Sequence, residues 1–289
     1  ATGQDSCDDA DAGSFVPITG QTNQTDCAIG TYQASTGQSS CVDADAGNYV
    51  DQTGQSSQSA CVAGTYQPDT GQDGCDDADA GHYVDQTGQS SQIACLAGTY
   101  NPNTGSSSSS ACGDADAGYY VSSTGQSTQT ACSAGTYQSL TAQSSCDDAD
   151  AGHYVDQTGQ SSQSACSAGT YQSDTGQDGC DDADVGSYVP VTGQTSQTDC
   201  ATGTYQASTG QTSCDDADAG HYVDQTGQST QTACLTGTYQ SATGQNSCYD
   251  ADAGHYVPTT GQTSETACLA GTYQPDTGQD GCDDADVGS

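Results

Sequence analysis

The sequence predicts an all-β, small disulfide-rich fold, an elongated rod of short tandem hairpins without helices. Three observations carry this expectation. Seventeen cysteines recur along 289 residues at alternating spacings of 20 and 14. Short strand-forming words, Tyr-Val and Thr-Tyr-Gln, alternate with Thr-Gly turns. No apolar pattern has the period of about 3.6 residues that a helix needs, and glycine recurs too often for one.

The cysteines stand at 7, 27, 41, 61, 75, 95, 112, 132, 146, 166, 180, 200, 214, 234, 248, 268 and 282. One spacing departs, the 17 between Cys95 and Cys112, where the serine run at 106–110 adds three residues. A fixed period of 34 residues predicts a solenoid or a linear array. The units are 7–40, 41–74, 75–111 with the insertion, 112–145, 146–179, 180–213, 214–247 and 248–281. A tail of a repeat, 1–6, precedes them and a head, 282–289, follows. Starting and stopping mid-repeat suggests a piece of something longer, so the lack of a signal peptide or anchor carries little weight.

Each unit has two related halves. The long half reads C-x-D-A-D-[AV]-G-x-Y-V-x-x-T-G-Q and ends six residues later in cysteine, with Phe15 once replacing the tyrosine. The short half reads C-x-x-G-T-Y-[QN]-x-x-T-G-x-x-x-C, with Ala142 once replacing the second glycine. Both share G-x-Y, then T-G, then cysteine, which suggests duplication of an ancestral unit of about 15–20 residues. Each half reads as an irregular hairpin whose Thr-Gly turn uses glycine for its positive φ.

Composition sets the environment and excludes partners. The chain has 38 acidic side chains, no lysine or arginine and four histidines, for a formal charge of −38. With 31% hydrophobic residues it leans toward disorder, and the regular cysteines argue against that. A disulfide framework belongs in an oxidising place, extracellular or on a cell surface. Without basic residues, nucleic acid is not expected as a partner, nor anionic lipid. No apolar run approaches a membrane span, so no membrane insertion is expected in this segment. The apolar content of a unit is thin, and a ladder of tyrosines is the expected core. Stacking on neighbouring units, bound metal or contact between chains must supply the rest. Exposed strand edges predict self-association into fibres or bundles.

The short half, as in CVAGTYQPDTGQDGC at 61–75, resembles the cysteine-rich repeats of the ephrin-receptor-like class, also called GCC2/GCC3. It is similar as well to the one-disulfide module of tumour-necrosis-factor-receptor-like domains. The resemblance implies extracellular, disulfide-laddered rods used in surface recognition. The chain departs from those families in lacking C-x-x-C pairs between modules and in adding the D-A-D-A-G insert. The resemblance implies closure of the short halves, pairing Cys27–Cys41, Cys61–Cys75, Cys95–Cys112, Cys132–Cys146, Cys166–Cys180, Cys200–Cys214, Cys234–Cys248 and Cys268–Cys282. That register leaves Cys7 over, with a partner expected upstream of residue 1. The competing register, Cys7–Cys27, Cys41–Cys61 and onward, would leave Cys282 over.

The D-A-D insert is the candidate metal site, in nine copies: Asp9/Asp11, Asp43/Asp45, Asp77/Asp79, Asp114/Asp116, Asp148/Asp150, Asp182/Asp184, Asp216/Asp218, Asp250/Asp252 and Asp284/Asp286. The two aspartates persist while the residue before them varies (Asp8, Val42, Gly113, Tyr249). Carboxylate clusters suit calcium, with Asp51, Asp85, Asp156 and Asp224 as possible helpers. Two carboxylates do not fill a calcium shell, so carbonyls, water or a second chain would complete it. The spacing is not that of an EF-hand. The other reading is an Asx turn, in which aspartate caps nearby backbone N–H groups, and one aspartate can do each.

His82, His153, His221 and His255 precede the long-half tyrosine, where other units place Ser14, Asn48, Tyr119 or Ser187. A ligand or catalytic group does not exchange so freely, and surface variability is the expectation. No copy stands out as a catalytic site, and no enzyme activity is expected. The recurring threonines before the turn glycines read as turn chemistry or as possible O-glycan sites, and Asn23-Gln24-Thr25 is a lone N-glycosylation sequon.

The function this predicts is structural: a stalk or fibre segment outside the cell, stapled by disulfides and stabilised by calcium. Near-identical repeats, a uniform acidic surface and the absence of any trypsin cleavage residue favour it. The alternative is an adhesin or receptor-like ectodomain that binds a ligand or glycan along the rod, the variable His/Ser/Asn/Tyr stripe carrying the contact.

Overall fold

The computed structural model describes residues 6–285. It is all-β. Its strands are two residues long and pair into sixteen separate antiparallel hairpins, each made of chain neighbours. Among the described residues there is no α-helix, only a 3₁₀ turn at Ser109–Ala111. No helix there is long and apolar enough to cross a membrane.

Glycine rather than cysteine marks the structural period. The first glycine of each half falls at 13, 30, 47, 64, 81 and 98, then at 118, 135, 152, 169, 186, 203, 220, 237, 254 and 271. Neighbours are 17 apart except across the inserted serines, so the unequal cysteine spacings conceal equal structural units. Each hairpin opens on a tight turn ending in this glycine. In the first, Ser14 N–H donates to the Asp11 carbonyl with Gly13 at φ 91° between them, the positive φ a type II turn requires at that place. The first strand follows, Ser14–Phe15, and after the Thr-Gly turn the second, Thr25–Asp26. In the next half Thr31–Tyr32 pairs with Val42–Asp43. The second strand of a short half therefore lies beyond its closing cysteine, inside the acidic insert.

The chain divides into two compact units. One runs to Cys132 and also takes Gln138–Cys146 and Gly159–Ser161; the other takes Ser133–Tyr137 and Asp147–Thr158 and continues from Ser162. Within each, the same main-chain bonds join successive hairpins. In the first unit, Gly30 N–H donates to the Val50 carbonyl, Gln33 N–H to Gln55, and Gly54 N–H back to Cys27. In the second, Gly203 N–H donates to Val223, Gln206 N–H to Gln228, and Gly227 N–H to Cys200. The thin apolar content is thus supplemented by backbone hydrogen bonds that stacking satisfies.

The first glycine also admits the hairpin after next. A Cβ on Gly47 would stand 2.2 Å from the Gly88 carbonyl oxygen, and one on Gly186 would stand 2.2 Å from that of Gly227. Only glycine fits against a backbone this close.

The core is built of small side chains, and it is not the tyrosine ladder. Three residues before each first glycine, alanine and cysteine alternate: Ala44, Cys61, Ala78 and Cys95 are all buried. Three residues after it, valine and glutamine alternate, with Val50, Gln67 and Val84 buried. The tyrosines are half-buried, and Tyr249 and Tyr273 are exposed. Most sit second on two-residue strands, and Tyr119 and Tyr249 sit first. The one ring pair among the described residues is Tyr239–Tyr249, with centroids 6.2 Å apart. The buried glutamines keep their polar atoms satisfied: Gln33 Nε2 donates to the Ser40 carbonyl at 2.8 Å and Gln33 Oε1 accepts from Ser35 N–H at 3.0 Å. The half carrying the insertion has Asn101 at this place, donating to the His82 carbonyl and to Ser106 Oγ.

Candidate functional site

The eight disulfides close the short halves: Cys27–Cys41, Cys61–Cys75, Cys95–Cys112, Cys132–Cys146, Cys166–Cys180, Cys200–Cys214, Cys234–Cys248 and Cys268–Cys282. Cys7 is exposed and has no disulfide partner among the described residues. Each bridge joins the residue three before the first glycine to the end of the hairpin loop. Cα separations of 5.6–5.9 Å are those of ordinary disulfides.

The two aspartates of each D-A-D insert do different work. The first lies on the second strand of a short-half hairpin and pairs with the threonine of Gly-Thr-Tyr: Asp43 with Thr31, Asp77 with Thr65, Asp114 with Thr99, Asp148 with Thr136. Asp182, Asp216, Asp250 and Asp284 pair likewise with Thr170, Thr204, Thr238 and Thr272. Its carboxylate lies beside a later Thr-Gly turn; a Cβ on Gly71 would be 3.5 Å from the Asp43 carboxyl carbon. Asp9 stands outside any strand but meets Gly37 in the same way.

The second aspartate opens the tight turn and is gripped by a glutamine thirteen residues on. Asp45 N–H donates to Gln58 Oε1 at 2.6 Å, and Gln58 Nε2 donates to Asp45 Oδ2 at 2.7 Å. The same double bond joins Asp11 to Gln24, Asp79 to Gln92, Asp116 to Gln129, Asp150 to Gln163, Asp184 to Gln197 and Asp218 to Gln231. Asp252 meets Glu265 instead. Asp286 lies outside the described residues. The glutamine occupies the place in the long half that the second cysteine occupies in the short half. The chain therefore alternates a covalent staple with a hydrogen-bonded one. Sequence reasoning missed this glutamine, although it stands three residues before the cysteine in seven copies, with Glu265 in the eighth.

The carboxylates of the second aspartates thus have amide partners, while the first aspartates are held by strand pairing of their main chains. Among the described residues, no three His, Cys, Asp or Glu side chains come together in a group that could hold a metal ion. Asp51, Asp85, Asp156 and Asp224 are exposed.

The histidine position is half-buried rather than a free stripe, and its variation is matched across the hairpin. His82, His153, His221 and His255 face Ala94, Ala165, Ala233 and Ala267; Asn48 and Tyr119 face Ala60 and Ala131. The two serines face aspartates and donate to them: Ser14 Oγ to Asp26 Oδ1 and Ser187 Oγ to Asp199 Oδ1, each at 2.9 Å. Large faces small, and small faces a hydrogen-bonding partner. The pair beds a later Thr-Gly turn, as where a Cβ on Gly125 would be 3.2 Å from His82 Cε1.

Two tyrosines feel the acidic inserts. Partial burial, then the carboxylates of Asp79 and Asp76, push the Tyr66 hydroxyl above the ordinary phenol range. At Tyr239 partial burial comes first, followed by Glu265, Asp252 and Tyr249, in the same direction.

Compared with protein-family models and with curated proteins, the chain matches none of them. It is a cysteine-rich tandem repeat of disulfide-closed hairpins.

Proposed function

We propose that this chain is a structural element outside the cell, a stalk or fibre segment whose repeats serve mechanical continuity rather than catalysis. The observation that carries the reading is the alternation of staples. Every described half is closed, either by a disulfide or by a carboxylate contact, with the far partner in the same place relative to its first glycine. Disulfides suit an oxidising environment, and the likeness of the short half to ephrin-receptor-like repeats points to the same setting. The stripe on which a ligand-binding reading rested is taken up in hairpin packing, so the structural role is the better supported. Calcium, in this proposal, is a contact of the strand aspartates such as Asp43 and Asp77, completed by water, carbonyls or a neighbouring chain. The test is electron microscopy of native and recombinant oxidised material. Continuous filaments or uniform stalks are expected; monodisperse particles binding a defined glycan or protein would overturn the reading.

A further inference from the structure

Each of the sixteen described hairpins carries a threonine directly before its second glycine or, once, before Ala142. Every one of these threonines is exposed. In the short halves the main-chain carbonyl is used, as where Gln38 Nε2 donates to the Thr36 carbonyl, but any residue supplies a carbonyl. Among the described residues the hydroxyls of this set have no hydrogen-bond partner. The other threonine of each short half behaves differently: the hydroxyls of Thr31, Thr65 and Thr99 donate to the Ala28, Val62 and Leu96 carbonyls. Turn chemistry therefore accounts for the second set and leaves the first without a use for its hydroxyl.

The place is nevertheless held fixed. The residue before it varies freely, as in Ile18, Gln52, Leu140 and Asp174. Thr141 remains even where the turn glycine has become Ala142 at φ 60°. Serine, abundant in the chain, never replaces it. The prolines supply a second, independent observation. All six of the chain stand two residues before a threonine of this set, as Pro68 does before Thr70 and Pro190 before Thr192. Proline fixes its own φ and keeps the residue before it extended, so the approach to the turn is stiff and the threonine protrudes. Exposed threonine beside proline is the composition of O-glycosylated stalks.

We propose that the threonine before each turn glycine is an O-glycosylation site, its hydroxyl the acceptor for a neutral sugar. The threonine oxygen bonds to the anomeric carbon of a nucleoside-diphosphate sugar, the nucleoside diphosphate leaves, and the hydroxyl proton passes to a base of the transferase. A phosphate on the same oxygen would add negative charge to a chain that already carries −38, whereas a sugar adds none. The inference stands apart from the stalk reading, since a secreted receptor would carry the same groups.

The experiment is peptide mass spectrometry of the native chain, cut with proteases that act at aspartate or tyrosine. Fragmentation that leaves side-chain groups attached should place sugar mass on Thr36, Thr53 and Thr70 and none on Thr31 or Thr65, and alkaline β-elimination should remove it. Bare threonine in the native peptides, sugar spread equally over both sets, or phosphate in its place would overturn the proposal. Unglycosylated recombinant chain tests the turn role separately. Thr53→Val with Thr87→Val keeps the branched side chain and removes two hydroxyls, and should leave the unfolding midpoint unchanged, as surface substitutions do when they break no cap or packing contact. A lowered midpoint would assign the hydroxyl to the turn and overturn the proposal from the other side.

Discussion

Asp45 and Gln58 hold each other by two hydrogen bonds, 2.6 and 2.7 Å long, with Gln58 at the place Cys41 has one half earlier and Asp45 one residue past the counterpart of Cys27. The equivalence is positional: Ala44 and Cys27 both stand three residues before their first glycine, and both are completely buried.

That equivalence predicts where new covalent staples fit. The double substitution Ala44→Cys with Gln58→Cys should form a disulfide spontaneously on oxidation, because the two sites correspond to Cys27 and Cys41. A loop of this size contributes about 3 kcal/mol, less about 2 kcal/mol for the two lost hydrogen bonds. Non-reduced peptide mapping and thermal unfolding check it; a free thiol pair would show that the halves are less alike than their backbones.

The turn glycines give a paired prediction of opposite sign. Ala142 sits at φ 60°, the one non-glycine among the described residues with positive φ. Ala142→Gly should stabilise the chain by about 1 kcal/mol, since an L-residue is strained there. Gly47→Ala should be severely destabilising, because its Cβ would be 2.2 Å from a carbonyl oxygen. Chemical denaturation of the two variants beside wild type decides both.

Calcium should have little effect on the long-half staples, whose carboxylates already accept from glutamine amides. Each site bound only in the folded state would add about 2.7 kcal/mol at a hundredfold excess over its Kd. Any gain should therefore come from the strand aspartates such as Asp43, and thermal unfolding of oxidised protein is expected to lie several degrees higher in calcium than in EGTA. Coincident curves, with no calcium found by elemental analysis, would remove calcium from the proposal.

Alkaline stability should fall through the tyrosines. A phenol whose folded pKa is raised contributes stability that is fully present below its unfolded pKa, about 10, and is lost as pH rises through the folded value. With Tyr66 and Tyr239 both raised, stability should decline above that point. Tyr66→Phe and Tyr239→Phe should flatten the decline, as denaturant midpoints measured against pH would show. Unchanged profiles would remove the tyrosines as its cause.

The hairpin character of each half was readable from Gly-x-Tyr and Thr-Gly, because these words state local backbone preferences directly. The tyrosines were misread as core because hydrophobicity alone does not say which side of a two-residue strand faces inward. Val50 and Ala44, smaller and less conspicuous, are the buried ones. The partner of Asp45 was hidden for another reason: Gln58 is thirteen residues away and of a type common throughout the chain. Only its fixed place before the cysteine distinguishes it. The histidine position looked variable in isolation. Its compensation by Ala94, or of Ser14 by Asp26, becomes visible once the strands are paired.

The 3₁₀ turn at Ser109–Ala111 carries one more consequence. Three extra residues between Cys95 and Cys112 are absorbed there without disturbing the disulfide or the joining bonds of Gly98 and Val121. Lengthening a loop costs only a logarithm of its size. The cysteine-bounded loop is thus a grafting port: a foreign peptide placed between Ser106 and Ala111 would be displayed as a clamped ring, repeatable in principle once every 34 residues.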